Sequence, residues 1–91
     1  MPSDEIRLYS NDIKRRYTEY GNKLELNLMK QLVFILLCLY LICAEYEFET
    51  NGSTSDQIRL MAFYLHTDVK DVGLETIHSI SDKICIITND L

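Results

Sequence analysis

Two histidines, three cysteines and fourteen carboxylates are the side chains of this sequence with the means to do acid–base, nucleophilic or metal chemistry. His66 and His78 have no cysteine or second histidine at ligand spacing, whereas a zinc site needs three or four converging ligands. On a helix His78 and Cys85 lie two turns apart, about 10 Å, too far for the direct proton transfer that activates a thiol. Cys38, Cys43 and Cys85 each sit in an apolar run with no CxxC spacing, the setting of buried, reduced thiols in a reducing compartment. A Cys43–Cys85 bridge stays open, because spacing does not fix pairing. Glu45, Glu47 and Glu49 form a solvated acidic run, with no apolar setting to tune a carboxylate for proton transfer. There is neither a phosphate-cradling glycine loop nor a nucleophile elbow. The expectation is a protein without enzyme activity, cofactor or metal.

Charge narrows the partners. The chain of 91 residues carries a formal charge of -5, which opposes binding that works by neutralising phosphates. Lys14-Arg15-Arg16, interleaved with Tyr9, Tyr17 and Tyr20, is a short basic cluster that could touch RNA, anionic lipid or an acidic partner. Three basic residues are too few to define a nucleic-acid surface, and pairing with the chain's own carboxylates is the simpler expectation.

The elements that would position any site are mainly helical. Pro2-Ser3-Asp4-Glu5 places cap and acidic residues ahead of Ile6, Leu8, Tyr9, Ile13, Tyr17 and Tyr20, so a first helix is predicted from about Asp4 to Tyr20, stopped at Gly21-Asn22. A second is predicted from about Leu24 to Tyr46, where Leu, Met, Lys, Gln, Glu and Ala dominate and no breaker intervenes. Asn51-Gly52-Ser53-Thr54-Ser55-Asp56 is the clearest break, and Ile58, Met61, Ala62 and Leu65 after it recur at helical spacing, with Phe63 and Tyr64 widening the face. A last helix is predicted from Asp71, with Val72, Ile77, Ile80 and Ile84 inward. The expected architecture is one domain, residues 1–91, a mainly α bundle of three to four helices around a long apolar helix. The alternative is an α+β fold with short strands near 45–50 and 84–88, where the residues alternate or are β-branched.

The uncharged run Leu32 to Ala44 spans thirteen residues, about 20 Å of helix against about 30 Å of hydrocarbon, and Lys30 and Glu45 bracket it. Its flanks resemble a secretory signal, but one displaced behind a charged, patterned segment. A buried core helix is the expected reading. A small chain wraps such a helix poorly, so a homodimer or tight heterocomplex is expected, with Leu32, Ile35, Leu36, Leu39, Ile42 and Cys43 at the interface. The functional expectation is a cytoplasmic protein-interaction module, of regulatory, adaptor, immunity or inhibitor type, that offers Glu45, Glu47, Glu49, Asp68, Asp71 and Glu75 to a basic partner. Two alternatives stand beside it. One is a small protein anchored in a membrane by residues 32–44; the other is a helix-turn-helix regulator over Ser55 to Ile80, opposed by Asp71 and Glu75 on its would-be reading helix.

Overall fold

The computed structural model describes residues 2–44 and 52–89. Among them four helices form, α1 (Pro2–Tyr20), α2 (Leu26–Ala44), α3 (Gly52–Leu65) and α4 (Leu74–Asn89), with a single 3₁₀ turn, Gly21–Lys23, between α1 and α2. The described residues contain no strand, and the mainly α bundle is the observed architecture. The strand considered near 84–88 is helical; the one considered near 45–50 lies outside the described residues. At 84–88 packing overrides β propensity, because Ile84, Ile87 and Thr88 are buried and the Thr88 hydroxyl donates back to the Ile84 carbonyl at 2.8 Å, a bond compatible with helix.

α1 buries a face rotated from the one its apolar residues mark, keeping Ile13 and Tyr17 inside and Ile6 half-buried against the core. Ser3, Ser10, Ile13 and Tyr17 point inward, whereas Leu8, Tyr9 and Tyr20 remain 68%, 61% and 48% exposed. The cause is the close approach of α1 to α4. Ser10 and Ser81 are both fully buried, their hydroxyl oxygens are 2.8 Å apart, and the Ser81 hydroxyl also lies 3.2 Å from the Ser10 carbonyl. Two small side chains fit at such a crossing and two large ones do not. The helices run antiparallel, as shown by the side-chain pairs Arg7 with Asn89, Lys14 with Asp82, and Thr18 with His78.

The last helix begins at Leu74 rather than Asp71, because Gly73 takes φ +92°, a conformation open to glycine and strained for other residues. The Gly73 N–H donates to the Asp71 carboxylate at 2.9 Å, and the Gly73 carbonyl accepts from the Ile77 N–H at 3.3 Å. Gly73 is thus the cap, and Val72 before it and Ile77 after it are both in the core, the arrangement of a hydrophobic staple.

The principal extents are 34 × 26 × 17 Å, so the bundle is a slab. With helix axes about 8–10 Å apart, the shortest extent holds two layers and no third. α4 is the most enclosed helix, with seven buried residues of 16, against six of 19 for α2. α4 packs on α1 and α2, and α3 packs mainly on α2. A slab this thin leaves α2 one covered side.

Candidate association surface

α2 is long, apolar and two-faced. Met29, Leu32, Val33, Leu36, Tyr40 and Cys43 are buried and share one cluster with Ile13 and Tyr17 of α1, Met61 and Tyr64 of α3, and Ile77, Ile80 and Ile84 of α4. The opposite side is bare: Leu28, Phe34, Ile35, Leu41 and Ile42 are 38–57% exposed. Five large apolar side chains on one helix face form more than the scattered exposure usual on a soluble surface.

Two polar contacts hold α2 in this rotation. The Tyr17 hydroxyl, buried against α2, donates to the Met29 carbonyl at 2.7 Å, and burial pushes that phenol well above the usual tyrosine range. Lys30, the single charged residue of α2, donates to the Thr67 carbonyl and sits 5.8 Å from the Tyr64 ring centroid, within cation–π range. Its ammonium is thereby held toward the end of α3, and the exposed face of α2 is left without charge. Beside it Phe34, Gln31, Asn27, Lys30, Leu65 and His66 line a shallow groove of about 530 Å³. The Tyr64 hydroxyl is buried near that of Tyr17 and makes no hydrogen bond of ordinary geometry.

The six interface positions expected from the sequence divide between the two sides. Leu32, Leu36 and Cys43 face the chain's own core, Leu39 is half-buried, and Ile35 and Ile42 are exposed. The pattern of an all-apolar run does not say which stripe a single chain will cover, which is why Leu28, Phe34 and Leu41, exposed on the same side, were not among the expected positions. Of the acidic positions, Asp68, Asp71 and Glu75 are exposed between the end of α3 and the start of α4, with the Asp71 carboxylate also bonded to Gly73. Glu45, Glu47 and Glu49 lie outside the described residues.

The other chemistry-bearing residues are occupied by structural contacts. Lys14 pairs with Asp82 at 2.7 Å, Arg15 with Asp12 at 2.7 Å and Glu19 at 3.2 Å, and Arg16 with Asp12 at 3.0 Å. The whole basic cluster is matched by the chain's own carboxylates. His78 hydrogen-bonds Thr18 at 2.8 Å, and the Cys85 thiol lies 3.3 Å from the Asn11 side-chain oxygen. All three cysteines are free, and burial raises the Cys43 thiol above its ordinary value. No group of three or more metal-ligating side chains converges among the described residues.

α3 and α4 do not form the compact pair that a helix-turn-helix requires. Their connection runs from His66 to Gly73, longer than the usual turn of about three to four residues, and Ile77, Ile80, Ser81 and Ile84 of α4 are buried in the bundle. Set beside known protein-family models, curated proteins and solved structures, the chain matches none of them.

Proposed function

We propose that this protein is a non-enzymatic interaction module whose exposed α2 stripe docks against another protein chain. The observation that carries the reading is the two-sided α2. One side is fixed in a polar-rimmed bundle, and Leu28, Phe34, Ile35, Leu41 and Ile42 stand open on the other. Half-burying five such side chains in a partner is worth roughly 4–7 kcal/mol before association costs are subtracted. Apart from the stripe, the exposed carboxylates of Asp68, Asp71 and Glu75 form a separate surface suited to steering a basic partner, an effect on rate more than on affinity. The role proposed with it is regulatory, adaptor, immunity or inhibitor, in the cytoplasm. The test is affinity capture of the native chain beside two variants. Ile42→Glu should lose the bound protein and Arg16→Glu should keep it; equal capture by all three would refute the assignment.

A membrane-seated chain is the second reading, because the helical part of α2 is longer than its uncharged run. Its 19 residues, with mean hydropathy 2.1 and one charge, reach about 28 Å, long and apolar enough to cross a bilayer. Against it, a crossing α2 would carry α1 and α4, with their ion pairs Lys14–Asp82 and Arg15–Asp12, into hydrocarbon, where charges cost several kcal/mol each. Fractionation without detergent separates the readings: recovery of the native chain only in the membrane pellet would favour the second.

A further inference from the structure

One stripe along the uncovered side of α2, exposed except at the half-buried Cys38, follows a pattern that identifies what covers it, given the association reading above. Leu28, Gln31, Ile35, Cys38 and Ile42 succeed one another at spacings of three, four, three and four, the repeat of a coiled-coil seam. A seam of this kind fits a facing helix. Hydrocarbon has no register to match, and it would solvate Gln31, exposed on the midline, at a cost.

We propose that the occupant is a second copy of this chain, its α2 antiparallel to the first about a twofold axis at Ile35. In that register Ile35 meets its counterpart, Leu28 meets Ile42 of the second copy, and Gln31 comes within one residue, about 1.5 Å along the axis, of the level of Cys38 of the second copy, so one patch is complementary to itself. Charge decides the occupant and the direction. The stripe carries no charge, since Lys30 is held by Thr67 and the Tyr64 ring, so a strongly charged partner finds nothing to pair with there. In a parallel pair the two α2 dipoles would align and repel; antiparallel packing opposes them. Area agrees with a modest dimer. At about 100 Å² for each half-exposed large side chain, Leu28, Ile35 and Ile42 on the seam with Phe34 and Leu41 flanking it bring roughly 500 Å² per chain, about 1,000 Å² in all, the lower end of specific interfaces.

Disulfide trapping of the full chain tests both the occupant and its direction. Within one helix positions 31 and 38 are about 10 Å apart, beyond the reach of a disulfide, so a bond between them must join two chains. In a Cys85→Ser background, Gln31→Cys should give a covalent dimer on mild oxidation, linked 31 to 38 by peptide mapping. Adding Ile35→Glu should abolish it. The native chain should double its sedimenting mass as concentration rises. A mass of one chain at every concentration, or a 38-to-38 link in place of the 31-to-38 link, would overturn the proposal. In the monomer case 1-anilinonaphthalene-8-sulfonate separates the two failures. Dye fluorescence that drops in Ile35→Glu leaves the stripe open for a different protein. A monomer that binds no dye refutes the association reading as well.

Discussion

Leu36 and Leu41 stand on the same helix, are the same residue type and have opposite surroundings, so the pair measures the two-sidedness of α2 directly. Leu36 is fully buried and Leu41 is 51% exposed. Replacing either by alanine changes helix propensity by the same small amount, which cancels in the comparison. Leu36→Ala removes three carbon groups from a filled core, about 2.4 kcal/mol at roughly 0.8 kcal/mol each, and a cavity contribution brings the cost to about 3–4 kcal/mol. Leu41→Ala loses at most half the transfer energy and leaves no enclosed cavity, so about 1 kcal/mol is expected. The assay is urea unfolding of both variants at low protein concentration, where association does not contribute. At roughly 1.5 kcal/mol per molar urea, the midpoints should differ by more than about 1 M. Equal losses, large or small, would refute the division of α2 into a core side and an open side.

Other consequences are independent of that pair. Gly73→Ala should cost about 1–2 kcal/mol in thermal unfolding, because the added side chain opposes φ +92° while finding room beside Thr76 at 3.8 Å. Tyr17→Phe should cost about 1 kcal/mol by removing the bond to the Met29 carbonyl, whereas Tyr64→Phe should cost less, since its buried hydroxyl makes no hydrogen bond of ordinary geometry. The Tyr17 phenol, raised chiefly by burial, also sets an alkaline limit. Above about pH 10 the unfolded chain releases this proton and the folded chain keeps it, so stability falls by about 1.4 kcal/mol per pH unit; comparison with Tyr17→Phe should show a shallower decline in the variant. Cys43, 1% exposed and with its thiol raised by burial, should react with a thiol reagent only after denaturant is added, while Cys85, partly exposed, reacts in the native chain.

The helices were legible in the sequence because their signals are local. The dipeptides Gly21-Asn22 and Asn51-Gly52 punctuate the sequence, and acidic residues mark the starts of α1 and α4. The faces were less legible, because they depend on which helices meet. In α1, Leu8 and Tyr9 outweigh Ser3 and Ser10 in any count of hydrophobicity, yet the serines go inside, since a small pair permits close approach to α4. In α2 every turn is apolar, so periodicity holds no record of the covered side; Tyr17 and Lys30 set it through contacts with Met29, Thr67 and Tyr64. The reach of Lys14 to Asp82 crosses most of the sequence, and no spacing rule foretells it.

Whether the bare side of α2 meets protein is tested most directly by placing a photo-reactive phenylalanine analogue at Ile35 in one version of the full chain and at Arg16 in another. Both positions are solvent-facing in the folded chain, at 44% for Ile35 and exposed for Arg16. Illumination in cells should give a discrete protein adduct from position 35 and none from position 16. Lipid adducts alone at 35, or the same adducts from both positions, would contradict the assignment of this stripe as a protein-binding surface.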